Sequence, residues 1–356
     1  MKKEMNPMNA FPKIDMKEAT RLTREGRLQE AMALLRGASA TPGLADHAPR
    51  FEAPKFDRLA LKGMNLPGTN ARTFTPPAGA TFEERTYSGS AGARTYKLYV
   101  PSGYRGQPAP LVVMLHGCTQ SPDDFALGTR MNDVAEAETF LVAYPAQTQA
   151  ANASKCWNWF STPHQRRDAG EPAIIAGITR EIMRDHAVDA SRVYIAGLSA
   201  GGAAAAIMGE TYPDLYAAVG VHSGLVCGAA QDLPSALSAM RQGASASQTE
   251  TAKLTPTIVF HGDRDGTVHP INGEQVIAQA GAAKAAATIV TRGEKAGVRF
   301  TQTTHADDDG RAILEHWVLH GGGHAWSGGS KLGSYADPAG PDASREMMRF
   351  FMLHQR

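Results

Sequence analysis

The stretch Gly197-Leu198-Ser199-Ala200-Gly201 is a GxSxG pattern, set between the apolar run RVYIAG (192–197) and an alanine-rich segment. A serine on a sharp strand-to-helix turn needs small residues on both flanks, because that turn crowds its neighbours. The turn also puts Ser199 at a helix N-terminus, where unpaired amides stabilise developing negative charge. This is the setting of a nucleophile. A serine hydroxyl needs a general base, and the base needs a carboxylate to orient it. Downstream of the serine, HGDRDGTVHP (261–270) offers Asp263 and Asp265, and HWVLHGGGHAW (316–326) offers His316, His320 and His324.

Asp265 lies further out on the loop that leaves the strand PTIVF, with a Gly-Thr-Val-His-Pro turn beside it, and is the better candidate for the acid. Asp263 is better suited to shaping the turn through local amides. His316 and His320 fall on one face of the alternating run ILEHWVLH, whereas His324 stands beyond Gly321-Gly322-Gly323. That side-chain-free run lets its imidazole reach back toward Ser199. A metal site would ask for two histidines four apart on a helix with a nearby acid, as in HExxH; three glycines argue against the helix and no glutamate holds the required place. His324 is therefore the expected base. The strand LVVMLH ends in His116-Gly117, so the backbone N–H of Cys118, paired with that of Ala200, is the expected oxyanion hole.

Those residues need a scaffold. Short apolar runs at 111–116, 140–145, 192–197, 217–222, 256–262 and 313–320 alternate with helical stretches such as 172–186, 200–211 and 342–353. Alternation of this kind predicts a mostly parallel sheet with helices on both faces. In such sheets, functional residues collect on loops at the carboxyl ends of the strands. TFEERTYS and RTYKLYV read as an antiparallel pair joined by GSAGA. Residues 81–356 are thus expected to form an α/β catalytic domain. Met16, Ala19, Leu22, Leu28, Met32 and Leu35 keep roughly helical spacing, which predicts a helical N-terminal extension over 1–50. A Pro/Gly-rich linker is expected over 51–80.

Composition excludes several function classes. The chain has 356 residues, with 36 Lys+Arg against 35 Asp+Glu and a net charge of +1. With no basic run longer than KK or RR, nucleic-acid binding is not expected. No apolar run approaches the ~18 residues of a membrane span. The basic N-terminus is followed by no apolar h-region, so no secretory signal is visible as written and a cytoplasmic location is favoured, with an extracellular one as the alternative. The three cysteines, Cys118, Cys156 and Cys227, form no CxxC pair. They are either reduced, buried thiols or one disulfide plus one free thiol.

LHGCTQ (115–120), CWNWF (156–160), GLSAGG (197–202), HGDRDGTVHP and GGGHAWSGG together resemble the polyhydroxybutyrate depolymerase family of esterases, relatives of bacterial feruloyl and acetylxylan esterases within the α/β-hydrolases. GxSxG belongs to the whole superfamily; LHGCTQ with CWNWF is far more particular. The resemblance covers residues 81–356. It implies Ser199 as nucleophile, Asp265 as acid, His324 as base and the Cys118 and Ala200 amides as oxyanion hole, with no metal or organic cofactor. The implied substrate is a small ester, an oligoester or a polyester. Hydroxyalkanoate esters come first, a feruloyl or acetylxylan ester is the alternative, and a catalytically silent binding module is the remote one. Cys118 and Cys156 lie on segments expected to border the site and are candidates for a disulfide that would pin the oxyanion loop. Trp157, Trp326 and His116 are candidates for substrate contact. The segment 226–255 is too short for a large lid but can form a small helical flap, and the N-terminal helices could bind a partner or self-associate.

Overall fold

The run Leu111–Leu115 has no polar side chain, and its residues point alternately to two sides. Leu111, Val113 and Leu115 join one hydrophobic cluster, Val112 and Met114 another, and all five are fully buried. A strand buried on both faces requires covers on both. The structure, a computed structural model, describes residues 73–245 and 255–356. The helical extension expected over 1–50 and most of the expected linker lie outside the described residues.

In chain order the large sheet contains β1 (Thr81–Gly89), β2 (Gly92–Val100), β3 (Ala109–Leu115), β4 (Leu141–Pro145), β5 (Val188–Leu198), β6 (Ala218–His222), β7 (Thr257–Gly262), β8 (Ala287–Lys295), β9 (Val298–Ala306) and β10 (Ala312–Leu319). Its spatial order is β1-β2-β4-β3-β5-β6-β7-β10-β9-β8. From β4 to β10 every neighbouring pair is parallel; the antiparallel pairings are confined to the two ends. Two further short strands, β11 (Trp326–Ser327) and β12 (Ala336–Asp337), pair in parallel beside the sheet.

The helices are α1 (Pro122–Thr129), α2 (Met131–Glu138), α3 (Gly170–Asp185), α4 (Ala200–Thr211), α5 (Leu233–Gln242), α6 (Ile271–Gln279) and α7 (Ala343–Phe351). Apolar residues of α3, α4, α5 and α6 join the cluster on the Val113 and Leu115 side of the sheet, while α1, α2 and α7 cover the face of Val112 and Met114. Several starts are written in the sequence. Ser121 caps α1 with Pro122 following, Asp232 and Ser235 form a capping box on α5, and Asp342 caps α7. Helix α4 differs: its N-cap is Ser199, and the hydroxyl makes no cap bond.

The expected parallel core and its strand positions agree with the structure to within a few residues. The β8–β9 hairpin was not expected. Its strands are rich in polar residues, with β8 mostly exposed and β9 mostly half-buried, so they carry little of the apolar patterning that marks a strand. Residues 73–80, expected as linker, include Phe74, whose ring packs edge-on against Phe82 and Tyr99 at 5.5 and 5.8 Å. Among the described residues no helix is long and apolar enough to cross a membrane.

Four buried histidines link this core to pH. Burial holds His222 down to about 3 and His116, His316 and His354 down to about 4. Each is neutral when folded and takes up a proton near pH 6.5 when unfolded, so the unfolded state binds more protons between those values. Their contribution is complete above about pH 6.5 and is lost as pH falls toward 4. Thermal melts at pH 7.5 and pH 5 should show stability falling by about 1–2 kcal/mol per histidine. Equal melting points at the two pH values would contradict this assignment.

Candidate active site

The turn at Ser199 is made by close backbone contact. Ser199 has φ 57° and ψ −120°, a conformation that a side-chain-bearing residue adopts only when its surroundings impose it. Its N–H donates to the carbonyl of His222 at 2.9 Å, and its own carbonyl accepts from Ala203 N at 2.9 Å. A Cβ on Gly201 would stand 2.0 Å from the Leu115 carbonyl oxygen, and one on Gly197 would stand 2.3 Å from the Gly201 carbonyl carbon. Both outer positions of the GxSxG pattern must therefore be glycine: one lets the turn close on itself, the other lets it rest on the end of β3. The serine between them is only half-buried.

Asp265 and His324 are in direct contact. His324 Nδ1 donates to Asp265 Oδ2 at 2.7 Å, while Asp265 Oδ1 accepts from the amides of Thr267 and Val268, each at 2.9 Å. The Asp265 side chain is fully buried. Burial alone would raise its pKa, but hydrogen bonding from His261 and His324, the His324 charge and the Val268 amide hold it well below the usual carboxylate range. It therefore stays ionised as the partner of His324.

Asp263 does the structural work expected of it, but across the loop rather than within its own turn. Its Oδ1 accepts from Gly321 N at 2.7 Å and its Oδ2 from His320 Nδ1 at 2.9 Å. The two aspartates thus hold opposite ends of the glycine run. Arg264 N also donates to Gly322 O at 3.0 Å, so the run is pinned against the end of β7 rather than hanging as a free tether. His316 is buried, and its Nε2 lies 3.1 Å from where a Cβ on Gly273 would stand. The three histidines diverge, and among the described residues no group of three or more His, Cys, Asp or Glu is placed to hold a metal ion.

The loop after β3 lies against the turn: a Cβ on Gly117 would stand 3.6 Å from the Ser199 Cβ. Gln120 Oε1 accepts from Gly117 N at 2.9 Å, and Thr119 N donates to Ser154 O at 2.7 Å. Among the described residues no turn or loop carbonyl accepts from the Cys118 or Ala200 amide, which leaves both available to an oxyanion. Cys118 and Cys156 are joined as a disulfide, and Cys227 is the free thiol.

The expectation that Trp157, Trp326 and His116 touch substrate needs correcting, because they are 0%, 1% and 1% exposed. Trp157 Nε1 donates to the His116 carbonyl at 3.1 Å, and His116 Nε2 accepts from Gln147 N at 3.0 Å. Trp326 stacks on His222 with ring centroids 5.1 Å apart and donates to Ser344 Oγ at 3.1 Å. All three hold the loops from beneath.

Sequence reasoning missed other supports. Buried Glu171 accepts from Asn158 N and Nδ2, each at 2.7 Å, and from Gln147 Nε2, fixing the CWNWF segment. His222 ties two loops together: its carbonyl receives Ser199 N, and its Nε2 accepts from Ser327 N at 3.1 Å, three residues past His324. Only its place at the carboxyl end of a central strand could have marked it.

Residues 94–297 match the family model described as Esterase PHB depolymerase. The chain is 33% identical over 193 residues to poly(3-hydroxyalkanoate) depolymerase C of Paucimonas lemoignei, covering 51% of this chain and 46% of that protein. It thus spans about half the length of that relative. It is 26% identical over 228 residues to a probable acetylxylan esterase A of Aspergillus flavus, covering 59% of this chain and 73% of that protein. Feruloyl esterase B of Neurospora crassa is 32% identical over 128 residues, 36% of this chain and 42% of that protein. Among solved structures, an acetyl xylan esterase from Aspergillus awamori superposes with a TM-score of 0.58 at 19% identity, covering 77% of this chain and 99% of that one. The fold is that of the α/β-hydrolases.

Replacing Asp265 by Asn keeps an acceptor for the Thr267 and Val268 amides but presents the wrong partner to His324. Ester turnover should fall by roughly 10⁴ with the fold intact by circular dichroism; a loss below tenfold would remove Asp265 from the acid role. Replacing Cys118 and Cys156 together by Ser opens a covalent loop spanning a sequence separation of 38. Loop-closure entropy sets the expected loss at about 3–4 kcal/mol, read from chemical denaturation midpoints.

Proposed function

The chain belongs to the esterase PHB depolymerase family, and on that premise we propose that it is a serine esterase acting through an acyl-enzyme. The observation that carries this reading is the buried Asp265–His324 pair at 2.7 Å, together with a serine held at φ 57° on the elbow. In the proposed reaction His324 takes the proton from Ser199 as its oxygen attacks the ester carbonyl. The carbonyl oxygen, now negative, lies at the amides of Cys118 and Ala200. His324 returns the proton to the leaving alcohol, and water then repeats the sequence to release the acid. Asp265 stays ionised throughout, holds the imidazole in its Nδ1–H tautomer and offsets its charge.

The substrate class we favour is a short-chain hydroxyalkanoate oligoester or polyester, in keeping with the family and with the depolymerase among its relatives. The alternative is an acetylated or feruloylated plant polysaccharide fragment, which the acetylxylan and feruloyl esterase relatives support. For the place of action, the Cys118–Cys156 disulfide supports an oxidising compartment over the cytoplasm.

Comparing kcat/KM on soluble 3-hydroxybutyrate oligomers and on methyl ferulate, with Ser199→Ala as blank, tests both levels. Ser199→Ala should lower turnover by about 10⁶ and abolish labelling by a fluorophosphonate. Faster cleavage of the oligomers supports the hydroxyalkanoate reading, and the reverse transfers the enzyme to the plant-ester reading. Labelling that survives in Ser199→Ala would remove Ser199 from the nucleophile role.

A further inference from the structure

An open groove of about 610 Å³ adjoins the site, with Thr119 and Lys155 on one side and Lys331, Leu332 and Ser334 on the other. Both sides continue into residues assigned above. Thr119 follows Cys118, whose amide is an oxyanion donor, and Lys155 precedes Cys156, its disulfide partner. Ser334 precedes Tyr335, whose ring meets the His324 ring edge-on at 6.4 Å. Buried Gln120 ties the two segments together, accepting from Gly117 N and donating to Ser334 O, each at 2.9 Å.

The charge in this groove is unbalanced. Asp124 is its one carboxylate, and both of its oxygens are occupied: Oδ1 accepts from Ser334 N at 2.9 Å, and Oδ2 from Gln120 Nε2 at 2.9 Å and Ser334 Oγ at 2.5 Å. Among the described residues neither Lys155 nor Lys331 has a carboxylate within 4.0 Å. Lys155 is half-buried, and after burial itself its charge helps to keep His116 neutral, so its field reaches the base of the oxyanion loop. Beside the lysines stand Leu332 and Tyr335, 55% and 49% exposed. Cations next to an exposed apolar strip suit a ligand with a short aliphatic body and an anionic end.

We propose that Lys155 and Lys331 bind the free carboxylate of the leaving alcohol, so that the enzyme prefers esters whose alcohol is itself a hydroxy acid. The proposal rests on the esterase reading. The leaving oxygen takes its proton from His324, which assigns the groove side next to Tyr335 to the alcohol. In a hydroxyalkanoate oligoester the unit beyond the scissile bond at the carboxyl terminus carries a carboxylate; in the interior of a polymer it does not. The two lysines therefore favour chain ends over chain interiors.

The test measures acetate release from 3-acetoxybutyrate and from its methyl ester, with p-nitrophenyl acetate as the neutral reference, in the parent and in Lys155→Gln, Lys331→Gln and the double variant. The parent should prefer the free acid over the methyl ester. Each single variant should raise KM for the free acid roughly fivefold, and the double variant more, with the methyl ester and the reference unchanged. Lys331→Arg should keep the preference, and 0.5 M salt should erase it, since exposed pairs are screened at about 3–8 Å in that range. Equal kinetics for the acid and its methyl ester, or a free-acid KM that the lysine variants leave unmoved, overturns the groove assignment while p-nitrophenyl acetate is still cleaved. Loss of cleavage of the reference ester by the parent overturns the esterase reading instead.

Discussion

The contact between Gly201 and the end of β3 is the constraint from which the site follows. A methyl group cannot fit where Gly201 meets the Leu115 carbonyl, so helix α4 starts directly above the neighbouring strand. Strands β3 and β5 pair in parallel, with Leu115 opposite Gly197. Parallel neighbours end on the same side, and Ser199 and the loop that carries Cys118 are simply the first residues beyond those two ends. The next strand, β6, supplies the His222 carbonyl that receives the Ser199 amide. Asp265 and His324 extend the pattern, because β7 leads into the first and β10, its parallel neighbour, into the second.

Below that row lies a layer of buried polar groups that pair with one another across the loops. His116 joins the β3 end to Gln147 after β4 and to Trp157, and Glu171 at the start of α3 gathers Gln147 and Asn158. His222 does the same between Ser199 and the segment after His324. Inside a protein such bonds are stronger than in water, and each unpaired member is costly. The histidines serve because a neutral imidazole offers one donor and one acceptor at fixed positions. Keeping them neutral is the task of the apolar residues around them.

Much of this was legible in the sequence, for identifiable reasons. The central strands are continuous apolar runs because both faces are buried, so they could be located from composition alone. The GxSxG glycines were visible because close backbone approach restricts residue type, and the Asp-x-Asp turn and the triple glycine because such residue types cluster at strand ends. Other features left weak signals. The β8–β9 hairpin is rich in polar residues, with β8 mostly exposed and β9 mostly half-buried. Trp157 and Trp326 were expected to line a cleft because large aromatics near a catalytic residue suit either a cleft or a core, and sequence position cannot separate these. His222 and Glu171 act through partners 105 and 13 residues away in the chain, a relation that spacing does not encode. The particular motifs LHGCTQ and CWNWF find their physical meaning here: they are the two halves of one hydrogen-bonded, disulfide-linked support beside the Ser199 turn.

The glycine contacts around Ser199 also bear on how such an enzyme can diversify. The turn that carries Ser199 is made by backbone packed on backbone at Gly197 and Gly201, and a Cβ has no room at either position. Drift and laboratory selection therefore have nothing to vary at these two positions. Variation is channelled outward, to exposed positions such as Lys331 and Leu332, whereas Thr119, Lys155 and Tyr335, at φ 67°, 53° and 50°, admit fewer residue types. A lineage built this way can keep the turn at Ser199 unchanged over long divergence while its outer loops change.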